Sequence, residues 1–316
     1  MNTNSPKDRP KIVVADPLHP DGLAALQIWS DVTYTPDRSR IGQATQAVAL
    51  VVRSPISETA LSAMPRLRAI VRCGAGTDGI PQGFTSERGI AVANTPGANA
   101  GAVAEYVFAS LFQVAREVST YAQALCSGDW LRRSQARHRS FELGGRRLGI
   151  LGMGEIGQRL ARQAHLGFGM QVSATVMTPR PLPDHVQTVD IDTLFRTSDV
   201  VVLCCSLNDV TRGVVGATQL RSLPQGAVLV NVARGAVIDE QALLAFAADP
   251  RRSAALVLDV HHYSPLPASH PLTQAHLCWL TPHMAGITAD AERRMGLATE
   301  RALARLLGEA NWARTP

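Results

Sequence analysis

The chain has 316 residues, 46% hydrophobic and 18% charged, an ordinary globular balance and enough length for two domains with separate cores. Its net charge of +5 is modest, and the densest basic run, Arg132, Arg133, Arg137, Arg139, Arg146 and Arg147, carries no run of stacking aromatics, so it reads as a solvated linker, with no nucleic-acid partner expected. A polar start, an apolar run at 100–115 broken by Glu105, and five scattered cysteines without Cys-x-x-Cys spacing argue against a leader, a membrane span, a disulfide framework and a zinc knuckle, so a cytoplasmic protein is expected.

Short apolar runs at 11–15, 47–52, 69–72 and 90–93 predict buried strands, with helical patterns between them. After Thr95-Pro96-Gly97 a long helical stretch over 98–126 carries the chain out of a first domain. Its Tyr106, Val107, Phe108, Leu111, Phe112 and Val114 are more apolar surface than one face buries, which predicts a two-fold homodimer built on this helix. A second series of strands begins at Leu148 and continues at 172–176, 200–204, 227–231 and 256–260, where Cys204 and its neighbour Cys205 read as small buried thiols. The proline-rich stretches 179–183 and 265–271 are loops, and 289–307 is a terminal helix that returns to the first domain. Strand and helix alternating throughout predict an α/β protein with parallel sheets covered by helices.

The segment Leu148-Gly149-Ile150-Leu151-Gly152-Met153-Gly154-Glu155-Ile156-Gly157 joins an apolar strand to a glycine-spaced turn and a helix over 158–166. Gly152 suits the tight turn, Gly154 lets the backbone approach a pyrophosphate, and Gly157 lets helix and strand pack closely. Glu155 and Ile156 open the helix, whose free N–H groups and positive dipole end face the anion. The spacing alone is a weak signal; the strand before it and the strand at 171–176 after it make the context right for a dinucleotide. An NAD-preferring site places an acid roughly 20 residues beyond the turn to bind the ribose, whereas this chain has Val176, then Thr178 and Arg180. Nothing there repels a 2′-phosphate, so NAD(P) is expected with a lean toward NADP(H); Arg180 either holds that phosphate or is aimed at solvent by Pro179 and Pro181.

Further segments follow in order: Asn231-Val232-Ala233-Arg234-Gly235 through Val237-Ile238-Asp239-Glu240, Leu258-Asp259-Val260, and Thr281-Pro282-His283-Met284-Ala285-Gly286. Together with the glycine turn, and with Asn94-Thr95-Pro96-Gly97 and Val103-Ala104-Glu105 before it, they resemble the D-isomer-specific 2-hydroxyacid dehydrogenase family, glyoxylate/hydroxypyruvate reductases in particular. The resemblance runs from about Lys11 to the terminal helix. It implies two doubly wound parallel-sheet domains: a Rossmann nucleotide-binding domain, 98–286, inserted in a flavodoxin-like substrate domain, 1–97 with 287–316, and an active site in the cleft. It implies that Arg234 binds the substrate carboxylate and polarises the carbonyl, and that His283 is the general acid. The substrate loops fall on Arg53 and Ser54 and on Gly74, Ala75 and Gly76, whose N–H groups would cradle a carboxylate. Arg53 reads as a second cation or as a strand-end salt bridge. Thr77, Cys205, Val232, Ala233 and Gly286 fall among the cofactor contacts, and Asp259 matches the residue that meets the nicotinamide carboxamide or else caps a loop.

The family's acidic partner of the histidine lies five residues after the aspartate of Leu-Asp-Val, and that position is Ser264 here, within His261-His262-Tyr263-Ser264-Pro265. A hydroxyl orients a ring but adds no charge, so reduction is expected to fall away at a lower pH, unless His262 or another carboxylate takes the role. The expected activity is interconversion of a small 2-keto acid and its D-2-hydroxy acid; formate or phosphite oxidation also occurs on this frame, and no regulatory extension is expected after the terminal helix. The rival is a dinucleotide-binding sensor or corepressor-like scaffold with little turnover, which the missing glutamate favours and Arg234 with His283 opposes.

Overall fold

Residues 9–35, 37, 41 and 43–309 are described in the computed structural model, and the chain divides into two units, Met1–Asn99 with Ile287–Pro316, and Ala100–Gly286. The first unit opens with β1 (Lys11–Val14), α1 (Pro20–Trp29), β2 (Asp31–Tyr34), β3 (Ala49–Val52), α2 (Glu58–Ser62), β4 (Ala69–Arg72), α3 (Gln82–Glu87) and β5 (Ala91–Asn94). Its strands pair in the order β2-β1-β3-β4-β5, all parallel, with Lys11 opposite Asp31, Ile12 opposite Ala49, and Ala69 opposite both Ala49 and Ala91. That order is flavodoxin-like. Because successive side chains leave opposite faces of a strand, Ile12 and Val14 join one core with Ala49 and Val51, while Val13 and Ala15 join another with Leu50 and Val52. Both faces are therefore buried, which is why these strands read as unbroken apolar runs.

The second unit contains α4 (Ala100–Arg116), α5 (Val118–Cys126), α6 (Ala136–Arg139), β6 (Arg147–Leu151), α7 (Glu155–Phe168), β7 (Gln171–Thr175), β8 (Val186–Thr188), α8 (Ile191–Thr197), β9 (Val200–Leu203), α9 (Ala217–Ser222), β10 (Val228–Asn231), α10 (Glu240–Ala248), β11 (Ala255–Leu258) and β12 (Cys278–Leu280). Its sheet runs β12-β11-β10-β9-β6-β7-β8, parallel throughout. Counted from β6 this is the doubly wound order 3-2-1-4-5-6 with one strand added beside the sixth, and the order reverses between β6 and β9. The final helix, α11 (Ala289–Glu309), packs on α1, β4 and β5 of the first unit. Both units are thus α/β with fully parallel sheets, as the alternation predicts. Among the described residues no helix is long and apolar enough to cross a membrane.

Three expectations need correction. The helical stretch over 98–126 is two helices, broken at Glu117, whose backbone is left-handed (φ 45°). Of its six large apolar side chains Val107, Phe108 and Leu111 are buried in the core, Val114 is half-buried and Tyr106 turns a hydroxyl inward to Thr281, so Phe112 alone is exposed, at 40%. The exposed apolar surface comes instead from Val118, Leu125, Trp130 and Leu131, the last 78% exposed. The basic stretch is not a bare linker: Trp130–Gln135 is a 3-10 helix followed by α6, with Asp129 capping the first through a bond to the Arg132 amide (3.1 Å).

Candidate active site

The glycine turn joins β6 to α7. Gly152 sits at φ 103°, and a Cβ there would lie 2.7 Å from the Cys205 amide nitrogen; a Cβ on Gly157 would collide with the Gly152 carbonyl oxygen. Neither position accepts a side chain without backbone movement. Gly154, the residue capping α7, differs: a Cβ on it would meet nothing within 4 Å. The open side of the turn is therefore a cradle that a side chain would fill, and the first amides of α7 have no intrahelical acceptors. These residues fit a dinucleotide pyrophosphate. Replacing Gly157 with alanine is expected to cost about 1–3 kcal/mol by overpacking and to weaken dinucleotide binding, read by fluorescence titration and urea unfolding.

Around the turn, the Cys204 thiol donates to the Gly152 carbonyl (3.0 Å), and Arg180, exposed midway along the loop after β7, donates to the Met153 carbonyl (3.3 Å). Arg180 is thus tethered to the glycine turn rather than only aimed at solvent. Val176 is half-buried and Thr178 exposed. Burial pushes the Cys204 thiol far up, and the Cys205 and Cys278 thiols to about 11 each. Iodoacetamide near pH 8 is accordingly expected to label the exposed Cys126 first and to leave these three unmodified in the folded protein, as peptide mass mapping would read.

Arg234 follows β10. Asn231, the buried last residue of that strand, accepts from the Ala233 amide and donates to the Arg234 carbonyl (3.0 Å each), bracketing a turn in which Val232 and Ala233 are buried. Arg234 is extended (φ −146°, ψ 152°), and its guanidinium donates to the Ala233 carbonyl (2.7 Å). A Cβ on Gly235 would lie 2.5 Å from the His262 nitrogen and closer still to His261, so this turn and the 261–262 segment meet backbone to backbone.

His283 is exposed on a turn after β12, in a left-handed conformation (φ 55°), and its amide donates to the Asp259 carbonyl oxygen (2.8 Å). Asp259 is 1% exposed and its carboxylate accepts three bonds: Oδ1 accepts from the Thr281 hydroxyl (2.6 Å) and the Met284 amide (2.8 Å), Oδ2 from the Ala285 amide (2.9 Å). These bonds make Asp259 a loop cap, with one acceptor site of Oδ2 left over. Sequence reasoning assigned no role to the hydroxyls of Thr281 and Tyr106, which lie 2.6 Å apart; Thr281 opens the His283 motif and Tyr106 stands among the apolar residues of the long helix, and nothing in the sequence pairs them.

The loop after Asp259 does not present the histidines as substitutes for a carboxylate. His261 Nε2 lies 2.9 Å from the Thr281 carbonyl, which only accepts, so that nitrogen carries the hydrogen; its Nδ1 is buried without a partner among the described residues. His262 directs Nε2 to the Ile238 carbonyl (2.9 Å) and Nδ1 toward Glu240 (4.0 Å), and Glu240 also faces His270 Nε2 (3.6 Å). Both nitrogens of His262 are thus turned to α10 and the segment before it. Ser264 is exposed, and its hydroxyl makes no hydrogen bond among the described residues.

In the first unit the buried Asp16 carboxylate accepts from the amides of Arg53 (2.6 Å) and Ser54 (2.9 Å), fixing the end of β3. Arg53 forms a two-point ion pair with Glu292 of α11 (2.7 and 2.8 Å), so the strand-end salt bridge is the reading observed. Burial would lower the Arg53 pKa, but Glu292 outweighs it and raises it. The Gly74 amide is not open to a ligand, since it donates to the Thr95 hydroxyl (2.8 Å), while Asn94 holds the Ala75 carbonyl; of the expected cradle, the Ala75 and Gly76 amides donate to no backbone carbonyl among the described residues. Any Cβ on Gly74 would collide with the Arg72 guanidinium, a cation at this loop that the motif reading passed over. Thr77 follows the loop, half-buried, its carbonyl accepting from Gln82 (3.3 Å).

Within the second unit, the glycine turn, Arg234 and Asp259 all follow the carboxyl ends of strands of one parallel sheet: β6, β10 and β11. Ligands of open α/β sheets bind at that edge, where strand order reverses. Gly286 closes this unit.

A model of the family described as D-isomer specific 2-hydroxyacid dehydrogenase, NAD binding domain, matches residues 108–285. The chain is 33% identical over 298 residues to a hydroxypyruvate reductase of Thermotoga maritima, covering 92% of this chain and 95% of that protein. Among solved structures it is similar to a glyoxylate reductase from Paecilomyes thermophila (TM-score 0.82, 27% identity, 96% of this chain and 97% of the other). It is also similar to an acyclic imino acid reductase in complex with NADPH and D-Arg (TM-score 0.85, 25% identity, 95% and 97% coverage).

Proposed function

The chain belongs to the D-isomer-specific 2-hydroxyacid dehydrogenase family, and from that premise we propose that it is a 2-keto acid reductase interconverting a small 2-keto acid, of the glyoxylate or hydroxypyruvate kind, with its D-2-hydroxy acid. The observation that carries the reading is the common edge of one sheet from which the glycine turn, Arg234 and the His283 turn all emerge. The glycine turn at Gly152, Gly154 and Gly157 would hold a reduced nicotinamide dinucleotide, which would bring the hydride for the carbonyl carbon. Arg234, a planar and permanently charged fork, binds the carboxylate and polarises the carbonyl. His283 delivers its proton to the carbonyl oxygen and is left neutral, which balances the reduction. Ser54, Ala75 and Gly76 would line the substrate side, and Thr77, Glu155, Ile156, Cys205, Val232, Ala233 and Gly286 the dinucleotide side. The reductases and dehydrogenase family described above lend no support to the sensor or scaffold reading. A panel of 2-keto acids assayed with NADH and with NADPH tests the proposal; no turnover on any of them would reject it.

The absence of an acid at Val176 and the tether of Arg180 to the glycine turn support NADPH as the better cofactor. Arg180→Ala is expected to weaken NADPH by roughly 1–3 kcal/mol and leave NADH nearly unchanged, since only the 2′-phosphate makes a charge-assisted contact. Strong NADH preference untouched by that change would reject the assignment. For assembly, the exposed Val118, Leu125, Trp130 and Leu131 on and after α5 support a homodimer through the second unit, and a monomeric mass by light scattering at micromolar concentration would contradict it.

The position of the family's glutamate carries its own expectation. Ser264→Glu supplies a negative charge that favours the proton-bearing form of His283, so the falling limb of the pH profile for reduction should move to higher pH. An unmoved limb in a folded variant would show that residue 264 does not face His283.

A further inference from the structure

We propose that Tyr106 is a positioning residue for His283, acting through Thr281 and Asp259; the inference rests on His283 being the proton donor. Three elements meet in one chain of hydrogen bonds: Tyr106 of α4, Thr281 just after β12, and Asp259 just after β11. Its direction is fixed by chemistry. The Asp259 carboxylate only accepts and already holds two backbone amides, so the Thr281 hydrogen goes to Asp259 and the Tyr106 hydroxyl donates to Thr281. Burial, reinforced by the nearby Asp259 carboxylate, raises the Tyr106 pKa, which keeps the phenol a donor throughout the working pH range.

The turn has need of such an anchor. His283 sits at φ 55°, a conformation that persists in a non-glycine residue only when its surroundings over-determine it. The strand before it, β12, has three residues and pairs on one side only, with β11. The carboxylate of Asp259 gathers the amides on the far side of His283, the Asp259 carbonyl takes the His283 amide itself, and His261 takes the Thr281 carbonyl. Tyr106 extends this clamp to a long helix, so the Thr281 hydroxyl, the pivot of the turn, is held from both sides. The Tyr106 ring packs on the core cluster that contains Val107 and Ala285, so removing the hydroxyl alone leaves that packing in place.

The test is Tyr106→Phe, alone and combined with Thr281→Val, beside His283→Ala, all in the full chain. Tyr106→Phe should lower kcat about three- to thirtyfold and alter the pH profile of kcat, with dinucleotide Kd, keto-acid KM and the urea midpoint unchanged. The loss should be less than additive with Thr281→Val, because both cut one chain. Parental kcat in Tyr106→Phe overturns the proposal, as does a fall in kcat that only tracks a loss of dinucleotide affinity or of stability. If His283→Ala collapses turnover while Tyr106→Phe is silent, the positioning inference alone fails; if His283→Ala reduces keto acids at the parental rate, the reading of His283 fails and takes the inference with it.

Discussion

Alanine at position 283 is expected to lower turnover on a 2-keto acid by about a hundred- to ten-thousandfold, the usual worth of a positioned general acid, while leaving KM for the keto acid nearly unchanged. The asymmetry follows from when the proton is needed. It crosses to the oxygen only as the carbonyl is reduced, so the interaction belongs to the transition state. Arg234→Ala removes a charge that the substrate meets before and during reaction, so it should raise KM and lower kcat together, and kcat/KM should suffer more than in the His283 variant. Arg234→Lys is expected to restore little, because a point ammonium cannot reproduce a planar two-point grip on a carboxylate. Steady-state kinetics on three variants decides the roles: a His283 variant with parental kcat would remove it as the acid, and an Arg234 variant with unchanged KM would remove it from the carboxylate. Gly235→Ala should mimic Arg234→Ala in part, since its Cβ has no room against the 261–262 backbone and the turn that presents the guanidinium must shift.

The parts of the fold legible in the sequence are those that both faces of a sheet bury. β3, β9, β10 and β11 are buried at every position, and such strands leave apolar runs that no loop would tolerate. The strands the sequence hides are β2, β8 and β12, and all three lie at sheet edges. An edge strand exposes one side to water, so Asp31–Tyr34 and Val186–Thr188 carry polar residues where a central strand would be apolar. The break at Glu117 is hidden for another reason: left-handed backbone in a glutamate leaves no glycine to mark it. In the site, spacing located Gly152 and Gly157 because neither has room for a side chain, while Arg234 and Asp259 came from the order of the family's motifs. Spacing names no partner that is remote in sequence, as Glu292 is for Arg53, Thr95 for Gly74 and Thr281 for Tyr106, contacts that only the tertiary fold creates.

Substituting Asp259 by alanine should be the most destabilising single change near the site. The carboxylate takes three donors in a place with 1% exposure, and each donor stranded without an acceptor costs about 1–3 kcal/mol, more where the lost partner was charged. Partial relaxation and entry of water recover some of this, leaving on the order of 3–6 kcal/mol, a large part of the stability of an ordinary domain. Asp259→Asn keeps one accepting oxygen but turns an NH2 group toward a backbone amide or a hydroxyl, so it should recover only a minority of the loss. Because the clamp holds the left-handed His283 turn, turnover should fall with stability in both variants, whereas Tyr106→Phe should reduce turnover without a shift of the unfolding midpoint. Urea unfolding followed by circular dichroism, alongside kcat, separates these cases. An Asp259→Ala protein that unfolds at the parental midpoint would mean that the turn finds other acceptors, and the clamp would then not be what sets the conformation of His283.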